Sequence, residues 1–292
     1  MIPEEQIKRF LNRLSVIEGA SKNTINSYRQ SIMLLDEFMR SNGLTLNDLN
    51  LNTIEDFLLW LADKGLGKNS IKRHFYAVKR FLKYIGVQIN WDLIRVRGEE
   101  KYEYNILSEE EIMRIIEFTA RNYGKKYALM LWTAYEGAFR VNELCKIRVK
   151  DFDPQRCTLL KYPGKREMPI EVPLSMDLCM ELRQYVKEQN KSPEDYLFTT
   201  KFGNPWRPQT IDDMFRRIMT DMGYVDENGR VKVRFHDFAR HSRATNLLRK
   251  GVDIYTVNKL LGHRLLQTTL IYLHLARAEE LRERMEKAGI ER

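Results

Sequence analysis

The sequence predicts a mainly α-helical protein of two domains: an all-helical amino-terminal domain, then a mixed, mostly helical domain with a small antiparallel β-sheet. Three observations carry that prediction. Apolar residues recur at spacings of three and four along most of the chain, the period of helices with one buried face. After Val149 the pattern turns towards extended structure, and helix returns at about Met176. Arg95 to Asn105, RVRGEEKYEYN, has little apolar periodicity and five charges among its first seven residues, which marks a linker. At 292 residues, the chain is long enough for each domain to bury its own core.

Residues 1–96 form the first domain. Its first helix spans Pro3 to about Ile17, with Ile7, Phe10, Leu11 and Leu14 on one face. Ser21 caps a longer helix carrying Ile25, Tyr28, Ile32, Leu35 and Phe38, which Asn42-Gly43 ends. A third covers about Leu51 to Ala62, and Gly65-Leu66-Gly67 breaks it. The fourth, Ser70 to Ile85, sets an apolar seam of Ile71, Phe75, Val78, Leu82 and Ile85 against Lys72, Arg73, Lys79, Arg80 and Lys83, with Tyr76 among the cations. A charge run is more often a solvated face than a binding one. Here residues 1–98 hold fifteen basic and ten acidic side chains, more than half of the chain's net +9, and five cations on one helix suit a phosphate backbone.

After the linker, residues 97–106, the second domain covers 107–292. Ser108 and Glu111 make a capping box for a helix to about Asn122. A helix from about Lys125 to Tyr135 is apolar enough to be central to the core, and it delivers Arg140 at the turn beyond its end. Asp153-Pro154 turns the chain, Cys157–Lys161 and Met168–Val172 read as strands, and Tyr162 to Arg166 connects them. Helices follow at about Met176–Gln189 and Pro208–Met222, with a short strand near Leu197–Thr199 between them. Asp253 caps a short helix whose Ile254, Val257, Leu260 and Leu261 share a face, and Gly262 ends it in a left-handed conformation. Thr268-Thr269 opens another helical turn bearing Tyr272, and a charged helix follows from Ala276 to about Lys287.

A pI near 9.3 points to a polyanionic partner. Cys145, Cys157 and Cys179 are odd in number and outside any metal-ligand spacing, so they are expected as reduced thiols of a cytoplasmic protein. The start Met-Ile-Pro-Glu-Glu lacks the basic character of a signal peptide, and no apolar run approaches the roughly 18 residues of a membrane span. His-Glu-x-x-His, paired Cys-x-x-Cys and Gly-x-x-x-x-Gly-Lys-Ser/Thr are absent, leaving zinc and nucleotide hydrolysis without motif support; no metal or cofactor is expected.

The chemistry concentrates in Phe235 to His274. Arg240-His241-Ser242, Ala244-Thr245, Leu261-Gly262-His263, Thr268-Thr269 and Tyr272 together resemble the catalytic block of the tyrosine recombinase (phage-integrase) family. Ala138 to Leu144, AFRVNEL, resembles that family's other box, centred on its first arginine. One Leu-Gly-His would be weak, and a tyrosine on a short apolar helix is more often a core aromatic. Two boxes in order on a basic chain outweigh those readings. The resemblance extends to both domains, the first looking like a core-type DNA-binding domain and Leu107 to Glu111 like the start of the catalytic one.

The resemblance implies a site-specific recombinase, Xer-like or element-encoded, acting on double-stranded DNA without metal or ATP. Tyr272 would attack a phosphodiester to give a 3′-phosphotyrosyl link, while Arg140 and Arg240 neutralise the transition state. Lys165, at the hairpin where the family carries its general acid, would protonate the leaving oxygen, with Lys161 competing. His263 would donate to the phosphate, and His236 would take or relay the tyrosine's proton. Glu143 would orient Arg140. Here the usual His-x-x-Arg spacing is one residue longer, so Asp237 holds the strict frame; a helix beginning at Asp237, with Asp237 as its cap, would leave His236 free to swing in. Two other readings are a relaxing topoisomerase of the same chemistry and a catalytically silent DNA-binding accessory protein. The family also implies dimers to tetramers on DNA, here through a last helix striped with Leu275, Ala278, Leu281 and Met285, in a protein at the nucleoid.

Overall fold

The computed structural model describes residues 2–98, 104–163 and 168–276. The chain divides into two compact units, Met1–Tyr102 and Glu103–Arg292. The first contains α1 (Glu4–Val16), α2 (Lys22–Ser41), α3 (Leu51–Asp63) and α4 (Lys68–Tyr84), with single 3₁₀ turns at Leu46–Asp48 and Trp91–Leu93. Local chemistry sets the helix starts. Ser21 Oγ accepts from Thr24 N at 3.2 Å, and Asn50 Oδ1 from the amides of Asn52 and Thr53 at 2.9 and 3.2 Å, meeting donors a helix cannot satisfy itself. Phe10, Leu14, Ile32, Leu35, Phe57, Phe75, Val78, Phe81 and Leu82 fill the core.

α4 buries more than its apolar seam. Phe81 and His74 are also inside. Ser31 on α2 gives its proton to Ser27 O at 2.9 Å, so it accepts from His74 Nδ1, 2.9 Å away. Burial first, then the Arg73 charge, lower the affinity of His74 for a second proton, which suits this neutral pin between two helices.

The second unit begins with α5 (Glu109–Asn122), where Ser108 Oγ accepts from Glu111 N at 3.2 Å and Glu111 Oε2 from Ser108 N at 2.8 Å. α6 (Lys125–Glu136) is buried nearly throughout and lies at the centre of the core. It leads through residues 137–140 into the single turn α7 (Val141–Leu144). Strands β1 (Phe152–Asp153), β2 (Thr158–Lys161) and β3 (Ile170–Pro173) form an antiparallel sheet in that order, pairing Leu159 with Val172 and Lys161 with Ile170. α8 (Met176–Glu188), α9 (Pro208–Asp221), a π-turn (Asp237–His241), α10 (Ser242–Arg249), α11 (Ile254–Leu261) and helical residues 267–276 follow. Among the described residues, no helix is long and apolar enough to cross a membrane.

Three sequence expectations change. The strand at Leu197–Thr199 is absent: only single bridges tie Arg148 to Tyr196 and Thr199 to Pro205, too few pairings to propagate a ladder. Cys157 and Cys179 are joined in a disulfide rather than free, leaving Cys145 as a buried thiol. Cys157 takes φ +52°, a left-handed kink ahead of β2, and its Cα lies 5.4 Å from that of Cys179 on α8; sequence spacing does not reveal that proximity. The helix expected at Asp237 begins earlier, and its consequences belong to the site. Lys165 and the helix beyond Ala276, with Ala278, Leu281 and Met285, lie outside the described residues, while Leu275 packs on a small cluster containing Ala244, Val257, Leu261 and Tyr272.

Candidate active site

The site is assembled on the turn that ends α6. Gly137 stops the helix, and Ala138, fully buried, takes φ +48°, a conformation that costs an L-residue about 1–2 kcal/mol. A side chain on Gly137 would run into the Phe139 ring. The kink points two carbonyls inward and presents Arg140 at the start of α7. Glu143 holds that arginine twice, accepting from its backbone N at 2.8 Å and from Nη1 at 2.6 Å.

Both inward carbonyls are used by cations. Lys161, the last residue of β2, is fully buried; its Nζ donates to Gly137 O (2.9 Å), Ala138 O (2.8 Å) and Leu260 O (2.9 Å). Burial first, then the Arg240 charge, push it down to about 6, while Glu143, 3.8 Å away, pulls the other way. Arg240, also fully buried, donates Nη1 to Ala138 O (2.7 Å) and Nη2 to Leu261 O (2.9 Å), and its Nε has no partner among the described residues. Burial and then Arg140 lower its pKa to about 10, which leaves it charged at neutral pH. The hairpin seats against Gly262, where a Cβ would come within 2.5 Å of Pro163 Cβ; Gly262 has φ +64° and ends α11 as the sequence requires.

His263 follows that glycine, and its tautomer can be deduced. Asn258 Nδ2 donates to His263 O at 3.0 Å, so Asn258 Oδ1 faces Thr269. Thr269 gives its one proton to that oxygen at 2.6 Å and must therefore accept from His263 Nδ1, 2.9 Å away. His263 Nε2 is bare and accepts from Arg240 Nη2 at 3.0 Å. Burial and then the Arg240 and Arg140 charges push His263 down to about 4, consistent with this neutral ring. The expectation that His263 donates to the phosphate thus meets the opposite polarity in this state: His263 braces an arginine.

Tyr272 is 3 % exposed, and its ring lies nearly parallel to that of His263 with centroids 6.4 Å apart. Burial raises its hydroxyl to about 12 against the pull of Arg240. Among the described residues, the hydrogen-bond partner of that hydroxyl is His241 Nδ1 at 3.0 Å. The longer spacing before Arg240 is absorbed by the π-turn, in which Ser242 N reaches Asp237 O, one residue further than an α-helix allows. Helical residues already start at Phe235. Asp237 does not cap by starting the helix; it reaches back to Arg234 N at 3.0 Å and grips the Arg234 side chain at 3.0 and 3.1 Å. His236 remains at the surface with its ring edge-on to His241, centroids 4.6 Å apart. Dehydration against that wall, then the neighbouring cationic groups, lower its pKa and keep it neutral.

Arg140, Lys161, Arg240, His263 and Tyr272 are therefore linked around Ala138 and Glu143. Sequence reasoning passed over His241, Asn258 and Thr269, although His241 stands beside Arg240 in the same motif. On α4, Arg73 and Lys83 are exposed and Lys72 half-buried, whereas Lys79 Nζ lies 5.7 Å from the Trp91 ring centre and Arg80 is paired with Glu18 and Tyr28.

Residues 105–279 match the phage integrase family, and residues 7–86 match the phage integrase N-terminal SAM-like domain. The chain belongs to the tyrosine recombinase family. A tyrosine recombinase of Pseudothermotoga lettingae is 30% identical over 95% of this chain and 96% of its own length. Tyrosine recombinase XerA of Pyrococcus horikoshii is 30% identical over 94% and 90%. A crystal structure of XerA recombinase superposes with TM-score 0.53 at 28% identity, covering 98% of each chain. XerH bound to palindromic difH substrate gives TM-score 0.72 at 21% identity, covering 99% of this chain and 84% of that one, and so speaks to the fold. This recombinase is an enzyme of site-specific DNA recombination, and the topoisomerase and silent accessory readings gain no support from these relatives.

Proposed function

We propose that this recombinase cleaves one strand of duplex DNA with Tyr272, forming a 3′-phosphotyrosyl bond and releasing a 5′-hydroxyl that later reverses the reaction on a partner strand. The observation that carries this reading is the joining of Arg140, Lys161, Arg240 and His263 through Ala138 and Glu143, with Tyr272 against His263. The scissile phosphate would bind between Arg140, of which about a third of the side chain is exposed, and the unpartnered Nε of Arg240, with His236 at the rim. With two guanidinium groups balancing the developing charge, cleavage should persist in excess chelator.

Lys161 is the better candidate for protonating the leaving 5′ oxygen. It already lies among these groups, its three donated hydrogen bonds are those of an ammonium, and an arriving phosphate, opposite in charge, raises its pKa and so holds the proton where it is needed. Lys165, the lysine favoured from the sequence, lies outside the described residues. The cations of α4, above all Lys72, Arg73 and Lys83, would track the DNA backbone, and the segment beyond Ala276 would link protomers into dimers and tetramers at the nucleoid. The relative named XerA supports a Xer-like role, in resolving chromosome dimers, with integration or excision of an element as the alternative.

The test is covalent trapping on a nicked duplex. Wild type should give an adduct and Tyr272→Phe none, with DNA affinity nearly unchanged because phosphate contacts elsewhere carry binding. An adduct formed by the Phe variant would discard Tyr272 as nucleophile.

A further inference from the structure

The phenol of Tyr272 needs a proton acceptor, and the histidine that touches it is not the one preceding Arg240. His241 Nδ1 lies 3.0 Å from Tyr272 Oη, while His236 packs against the His241 ring, centroids 4.6 Å apart. The direction of that hydrogen bond follows from what lies behind the ring. His241 Nε2 faces Asp237 Oδ1 at 3.9 Å, and this carboxylate, fully buried and held in place by Arg234, can only accept. That distance is too long for a hydrogen bond, but the negative charge facing Nε2 favours the tautomer of neutral His241 with its proton there. Nδ1 is bare and accepts from the tyrosine O–H.

We propose that His241 is the catalytic base for Tyr272, with Asp237 as the positioning residue that fixes its tautomer and steadies the imidazolium that forms. The order carboxylate, imidazole, hydroxyl nucleophile is that of other activated hydroxyls, with a phenol in place of an alcohol. In the step, Oη–H breaks and the proton moves to His241 Nδ1 as Oη bonds phosphorus. The bond from phosphorus to O5′ breaks, and that oxygen takes a proton from the general acid. Religation returns both protons. Tyr104 also packs on the His241 ring in an edge-type contact, centroids 4.6 Å apart. The π-turn has a part in this: it accommodates one extra residue before Arg240 and leaves Asp237 and His241 on adjoining turns of the same face.

This inference rests on the recombinase reading, and its test separates the two. Single-turnover cleavage is measured on a nicked duplex and on the same duplex with a 5′-bridging sulfur, whose thiolate leaves without protonation. Loss of a general acid is rescued by sulfur; loss of the tyrosine's base is not. His241→Asn, which keeps a polar group near Nδ1 but cannot hold the proton, should slow cleavage about 10²–10⁴-fold on both duplexes. Lys161→Met should recover on the sulfur substrate. Asp237→Asn should slow cleavage on both duplexes and shift its pH profile, an effect that a merely structural role would not produce. If Asp237→Asn or His241→Asn fails to fold, His241→Gln and His241→Phe, checked by DNA affinity, take their place. Wild-type rates in folded His241 variants, or their rescue by sulfur, would overturn the base assignment while leaving Tyr272 as nucleophile. Failure of wild type itself to form an adduct would overturn the recombinase reading instead.

Discussion

Replacing Thr269 by Val tests the tautomer argument with almost no change of shape. Thr269 is fully buried, and its hydroxyl both accepts from His263 Nδ1 at 2.9 Å and donates to Asn258 Oδ1 at 2.6 Å. Val fills the same volume, so a cavity contributes little and the loss is polar. A buried group deprived of its partner costs about 1–3 kcal/mol, and two are deprived here. Both lie on half-buried residues where water relieves part of the cost, so the expected loss is about 2–3 kcal/mol, against less than about 1 for Thr269→Ser, which keeps the hydroxyl. Chemistry should suffer as well. Once Nδ1 has no acceptor, the other tautomer opposes His263 N–H to Arg240 N–H, so the guanidinium loses its brace and cleavage falls about tenfold or more. Urea denaturation gives the stabilities, and ¹⁵N–¹H spectra of the imidazoles report which nitrogen carries the proton. A wild-type His263 protonated on Nε2, or a Val variant as stable as wild type, would refute the reasoning.

Acid should unfold the second unit early. His241 and His263 are both held at about 4 against an ordinary 6.5, so between those values the unfolded chain binds more protons than the folded one; stability is full above about pH 6.5 and falls towards pH 4, by up to about 6 kcal/mol for the pair. Urea midpoints from pH 7.5 to 4.5 check this, and a midpoint that rises on acidification contradicts it. The Cys157–Cys179 disulfide, closing a separation of 22 residues, should contribute about 3 kcal/mol through the unfolded chain, and thiol titration of unfolded protein should find one thiol before reduction and three after. Three thiols without reductant would restore the sequence expectation. Truncation after Ala276 should leave DNA binding by one protomer and abolish pairing of two duplexes; recombination at the normal rate would exclude a linking role for the last helix.

What the sequence made legible was local or framed by two motifs. Ser21, Ser108 and Asp253 each cap the helix that follows because a side-chain oxygen two or three residues away meets free amides, and Gly262 ends α11 because the αL conformation favours it. The disulfide and the Asn258–Thr269–His263 relay were hidden because both depend on tertiary approach. Two positions are more instructive, since the signals for them were present. Strand alternation puts Leu159 and Lys161 on the same inward face of β2, as burial of both bears out, so the inward placement of Lys161 was readable from period two. The extra residue before Arg240 was treated as a helix that starts late, but an insertion can equally be stored inside a helix as one wide turn, and such turns gather at functional sites. In both places the chain puts a polar or ionic group where the pattern calls for an apolar one, and the surroundings supply carbonyls or a carboxylate to hold it. Lys161 has three carbonyls and Asp237 has Arg234; neither would be stable there as an accident of packing, and local rules of sequence fail at the two positions for which a part in the chemistry is proposed.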